Sequence, residues 1–224
     1  MSHIVEDVIE LTEFENHADP AELMELLRRR SALEGATGKA RFWAATFGGS
    51  HSDRLLIATE FPSGMALAIA RQDVESAAAL RQWEADARKA GLSLKSRIGL
   101  MNLNPGDKAE ESGATANGQP AILHFVEMNV NGKVAEFVKI FERAQEVIWK
   151  FGGKDSGIRR QWAIIWPGDH ARNVVATVEY PNHAAQLRTI EDVDSRAEWF
   201  EVMGEFGKLQ PQAAFEGVFT ELLP

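Results

Sequence analysis

Arg41-Phe42-Trp43-Ala44 reappears as Arg160-Gln161-Trp162-Ala163, and the match runs on without a gap through Gly49/Gly168, His51/His170, Glu60/Glu179, Pro62/Pro181, Ala66/Ala185, Asp73/Asp192, Val74/Val193, Ser76/Ser195 and Ala78/Ala197. The offset is 160 − 41 = 119, with twelve identities over positions 41 to 78 where background composition gives about two or three. An internal repeat fixes fold class more firmly than local propensity does. Upstream, Ile9-Glu10-Leu11-Thr12-Glu13-Phe14 aligns with Leu123-His124-Phe125-Val126-Glu127-Met128 at an offset of 123 − 9 = 114. The second copy therefore gains 119 − 114 = 5 residues, in or near the glycine-rich stretch Phe151 to Gly157.

Each copy reads as the same succession of elements. Val8 to Phe14 alternates as a strand. Asp19-Pro20-Ala21-Glu22 then supplies a capping acid, proline at the first helical position and a reciprocal glutamate, ahead of an apolar stripe at Leu23, Leu26 and Leu27 that carries a helix to about Leu33. Phe42 to Phe47 and Leu55 to Phe61 form a hairpin across Gly48 to Asp53. Met65 to Lys89 is helical with a break at Asp73, Gly91 ends it, and Leu94 to Leu103 is the last strand. The second copy repeats this as strand 121–129, helix 133–149, strands 160–166 and 173–180, a helical region 183–208 and strand 213–222. Residues 1–103 and 121–224 are thus two βαββαβ repeats, joined by a linker, 104–120, rich in Gly, Ala, Asn and acids.

This order, with a Glu-(Phe/Tyr)-Pro corner from third strand to helix, resembles the dimeric α/β-barrel superfamily, which includes antibiotic-biosynthesis monooxygenase-like and NIPSNAP-like domains and tandem haem proteins similar to chlorite dismutase. The resemblance implies an α+β fold of two ferredoxin-like units whose antiparallel sheets close one intramolecular barrel. Helices would cover the outside, and small ligands or haem would occupy the space between. It covers nearly the whole chain outside the linker, and it rests on architecture, so no family residue is carried over.

Composition narrows the function. The 224 residues carry 45% hydrophobic content and no cysteine, which excludes disulfides and thiolate chemistry and points to a reducing compartment, the cytoplasm. The first residues lack a signal-peptide pattern, and no apolar run reaches membrane-spanning length. A formal charge of −9 argues against a nucleic-acid partner; the one dense basic run, Arg28-Arg29-Arg30, fits the C-terminal end of a helix. A monomer would be complete because the repeat supplies both barrel halves, while exposed edges leave a homodimer open.

Strand residues divide by parity. Ile9 and Leu11, matching Leu123 and Phe125, are expected under the helices, with Trp43 and Trp162 packing there in alternation with Phe47 and Trp166. Glu10, Arg97, His124 and Glu216 would then face the barrel interior as one polar cluster. Its pseudo-equivalent positions differ, glutamate against histidine and arginine against glutamate. His124 is read as a general base and Arg97 as the group that orients an anionic substrate; the bland alternative is a buried ion-pair network. His51 and His170 read as turn residues, and Arg41 and Arg160 as pairing with nearby acids. Trp149, Phe151 and Lys154 surround the inserted loop, as an ordinary surface or as a lid.

Sharper motifs fail. Gly153-Lys154 is followed by Asp155, so it is no phosphate-binding loop; Gly48-Gly49-Ser50-His51-Ser52 lacks the closing glycine of a nucleophile elbow. No histidine pair has helical metal spacing, so no metal site is assigned. The cofactor stays open: none is favoured, with haem as the alternative through His124, His170 or His183. The expectation is a small-molecule enzyme of the cofactor-independent monooxygenase-like type acting on an apolar or aromatic substrate in the barrel. The alternatives are a haem-binding protein and a non-enzymatic small-ligand binder.

Overall fold

A computed structural model describes residues 8–33, 39–47, 53–103, 120–153, 156–166 and 173–224. The first repeat runs β1 (Val8–Asn16), α1 (Pro20–Ser31), β2 (Lys39–Phe47), β3 (Arg54–Phe61), α2 (Gly64–Gln72), α3 (Val74–Lys89) and β4 (Leu92–Asn102). The second runs β5 (Ile122–Asn129), α4 (Val134–Gly152), β6 (Ile158–Trp166), β7 (Asn173–Tyr180), α5 (His183–Asp194), α6 (Ala197–Lys208) and β8 (Gln212–Leu222). The strands close a barrel in the order β1-β3-β2-β8-β5-β7-β6-β4. Each repeat contributes four strands, and antiparallel pairs β2–β8 and β4–β6 weld the two sheets. Closure removes every free sheet edge.

Local signals hold where chemistry forces them. Asp19 accepts from the Ala21 amide at 2.9 Å, with Pro20 opening α1. Asp73 both ends α2 and caps α3, its carboxylate accepting from the Ser76 amide at 2.7 Å. The same sequence position splits differently in the second copy, where α5 continues to Asp194 before α6 begins.

The faces of the strands are the reverse of those expected. Ile9, Leu11, Trp43, Ile98, Leu100, Leu123, Phe125, Trp162, Ile164 and Phe219 form the core inside the barrel. Phe14, Phe42, Leu55 and Ile57 pack outward against Leu23, Leu26 and Leu27 of α1 and Trp83 of α3. Trp43 and Trp162 therefore fill the barrel rather than lie under helices. The physical reason is that both faces of a sheet covered by helices are apolar, so alternation separates the faces without saying which is inner. The bulkiest rings go inside because an eight-stranded barrel has just enough room for side chains to fill it.

Candidate functional site

Glu10 and Arg97 lie on the outer face of β1 and β4, His124 and Glu216 on that of β5 and β8. β1 and β5 stand four places apart in the eight-stranded ring, on opposite sides of the barrel. The expected four-residue cluster is therefore two separate pairs. His124 Nε2 sits 3.1 Å from Glu216 Oε1, and Glu216 is largely exposed. Neither residue lines the cavity against the first sheet or the one inside the barrel.

Glu10 and Arg97, by contrast, belong to a built site. A cavity of about 160 Å³ opens between the outer face of β1 and β4 and the helices α2 and α3. Four arginines (Arg30, Arg71, Arg81, Arg97) and two glutamates (Glu10, Glu84) line it, with Phe61, Ala70, Ala77 and Leu80 as apolar wall. Glu10, 4% exposed, forms the floor. Its carboxylate pairs with Arg71 of α2, and its Oε1 lies 3.7 Å from Arg97 Nε. Glu84 of α3 pairs with Arg97 on the other side. Arg97 Nε is sealed from solvent yet makes no hydrogen bond. Arg30 is the surprise of the basic run at the end of α1: Arg28 and Arg29 reach Glu25 and Asp86 at the surface, while Arg30 turns inward and donates to Thr59 Oγ1 at 3.1 Å. Burial first, and repulsion from Arg97 second, hold the Arg71 guanidinium below its usual range. That repulsion marks a positive field in the cavity of a protein whose formal charge is −9.

A second, smaller cavity of about 50 Å³ lies inside the barrel, where Arg41, Arg160, Glu60, Glu179 and Thr177 meet Trp43, Trp162 and the aliphatic core. Arg41 donates to both Glu179 oxygens, at 2.9 and 2.6 Å, and through Nε to Glu221 at 3.0 Å, while its guanidinium stacks 4.6 Å from the Trp43 ring. Burial alone would lower Arg41, but the two carboxylates outweigh it and raise it. Burial pushes the Glu221 carboxyl up against the opposing pull of Arg41. This chamber is largely filled, and its charges bridge the two repeats. The expectation that Arg41 pairs with acids is met, by acids of the other copy.

Of the three residues named around the inserted loop, Trp149 and Phe151 are among the described ones. Trp149 is half-exposed, and Phe151 is packed between Lys150 and Arg196 at 4.8 and 4.6 Å from its ring. Lys154, His51, His170 and nearly all of the linker lie outside the described residues. Haem needs an axial donor facing a chamber. Of the three described histidines, His124 is engaged by Glu216, His17 lies 3.6 Å from Glu15, and His183 is exposed at the start of α5; none lines either cavity. No described histidine therefore lines either cavity as a haem ligand would, and no chemistry is routed through haem.

No family model matches the sequence, and no curated protein does. Solved structures do. An anthrone oxidase-like protein is 12% identical with a TM-score of 0.63, over 100% of this chain and 94% of that one. A presumed monooxygenase from Lactobacillus acidophilus is 10% identical with a TM-score of 0.56, over 97% and 93%. A chlorite dismutase mutant from Candidatus Nitrospira defluvii is 6% identical with a TM-score of 0.52, over 97% and 92%. The chain has the ferredoxin-like α+β barrel of these proteins, with both halves in one polypeptide. No helix of the described residues is long and apolar enough to cross a membrane.

Proposed function

We propose that the chain is a small-molecule enzyme of the cofactor-independent monooxygenase-like type, and that its site is the arginine-lined cavity outside the first sheet. The observation that carries this reading is the cavity itself: four arginines against two glutamates around about 160 Å³. An apolar cavity of roughly 150 Å³ holds one benzene ring. The matching guest is a single-ring aromatic or enolisable molecule carrying one acidic oxygen, its body on Phe61 and Leu80 and its oxygen toward Arg71 and Arg97.

Clustered cations favour the ionised form of such a guest. The enolate or phenolate is electron-rich enough to react with dioxygen directly. A CH₂ beside a carbonyl becomes a second carbonyl, one oxygen atom enters the product, the other leaves as water, and no redox cofactor is required. The names of the neighbouring folds, anthrone oxidase-like and monooxygenase, support this reading, and His124, across the barrel, has no part in it. A non-enzymatic binder would use the same cavity without consuming oxygen.

The test is spectroscopic. 4-Nitrophenol should bind with its phenolate absorption band developed at a pH where the free probe is protonated, and Arg97→Ala and Arg71→Ala should each abolish that band. Binding of the neutral form, or a band unchanged in both variants, refutes the assignment. Oxygen uptake with enolisable single-ring ketones then separates enzyme from binder.

A further inference from the structure

An anion that enters this cavity and binds at Arg71 and Arg97 must compete with carboxylates already there. Glu10 holds Arg71 through one carboxylate oxygen and stands 3.7 Å from Arg97 through the other. The two partners are unequally anchored. Glu10 is fixed in a central strand, paired between Thr59 of β3 and Gly99 of β4. Arg71 rides on the last turn of α2, a nine-residue helix with extended backbone at both ends (Ser63 and Asp73) and one buried side chain, Leu67. Arg71 is the group that can turn toward a guest without disturbing the barrel.

Building on the reading of this cavity as a substrate site, we propose that Glu10 is its catalytic base, freed for proton transfer when the substrate oxygen takes its place at Arg71. The step balances. The substrate's acidic C–H or O–H bond breaks, its electron pair stays on the substrate as enolate or phenolate, and the proton forms an O–H bond on Glu10. Beside the unchanged Glu84, the arginines face one further negative charge before and after, first on Glu10 and then on the substrate. No net charge enters the cavity, which lowers the cost of making an anion there. A carboxylate that is itself 4% exposed and has lost its nearer cation holds a proton more firmly than one in water. Glu84 and the remaining arginines face the same space, and Glu84 is the rival proton acceptor.

The experiment titrates the full-length protein with 4-nitrophenol at a pH where the free probe is protonated, by calorimetry in two buffers of different ionisation heat. The wild type should develop the phenolate band while releasing close to no protons, because Glu10 keeps them; this measurement needs no variant. Glu10→Gln should release close to one proton per probe bound. At alkaline pH, where the free probe is already phenolate, it should bind about tenfold more tightly, since the competing carboxylate is gone. Glu84→Gln should behave as wild type. Equal proton release by wild type and Glu10→Gln, weaker phenolate binding by Glu10→Gln, or proton release appearing in Glu84→Gln instead would overturn the proposal. Absence of probe binding to the wild type would instead overturn the substrate site itself, so the two failures are distinct.

Discussion

Arg41→Met should be among the most damaging single substitutions in this chain. The guanidinium makes three hydrogen bonds to Glu179 and Glu221, with side-chain exposures of only 12%, 10% and 7% for the three residues. Methionine keeps most of the volume above Trp43 but leaves two carboxylates facing each other inside the barrel. Removing one partner from a buried ion pair costs about 3–5 kcal/mol, because the stranded charge keeps its desolvation penalty. In a chain of this length about 1 kcal/mol corresponds to roughly 2–4 °C, so a loss of about 6–20 °C in Tm is expected. Urea denaturation followed by tryptophan fluorescence gives the free energy directly. The triple variant Arg41→Met/Glu179→Met/Glu221→Leu should recover most of the loss, since an apolar triad of similar volume strands no charge. A loss under about 1 kcal/mol for Arg41→Met, or a triple variant less stable than the single one, would refute the account of this network as a desolvated clamp between repeats.

Glu221→Gln should cost less at about pH 7 than at about pH 4: burial raises this carboxyl in the folded state, so its contribution is present below the ordinary value of 4.5 and is lost as pH rises through the raised one. Paired urea melts at the two pH values check the sign, and a larger cost at the higher pH contradicts it. His124→Ala should leave nitrophenol binding unchanged, because it stands on the far side of the ring from Glu10; a change measured by the phenolate band would put it back into the site. Gly157→Ala should destabilise by about 2 kcal/mol or more, combining φ +85° with a Cβ only 2.8 Å from the Glu179 carbonyl oxygen. Gly132→Ala, at φ +77° with open space around it, should cost about 1 kcal/mol by thermal melt.

The two kinds of signal in the repeat carry different information, for a physical reason. Halves that close on one another share a single interior, so a side chain inside must suit its counterpart as well as its own sheet. Three of the retained identities, Arg41/Arg160, Trp43/Trp162 and Glu60/Glu179, line the inner cavity. Element order, the break at Asp73 and closure were legible because they depend on periodicity, caps and that matching. The outer faces meet separate helix layers and are free to diverge. Arg30, Arg71, Arg81 and Glu84 of the first cavity stand where the second copy has Ala144, Ile190, Phe200 and Met203. Glu10 and Arg97 were visible as divergent strand positions, but strand parity could not say that they faced outward. Nor could it pair them with Arg71, which a helix brings from 61 residues away in the sequence. In this fused barrel the retained strand residues Arg41/Arg160, Trp43/Trp162 and Glu60/Glu179 mark the shared interior, the other identities fall elsewhere in the repeat, and charge differences on the outer faces mark where one copy has built a site of its own. On that argument, swapping Arg71 and Arg81 for the second copy's Ile and Phe should remove anion binding while leaving the barrel closed, and loss of folding in that double variant would show that the cavity's charges serve the structure instead.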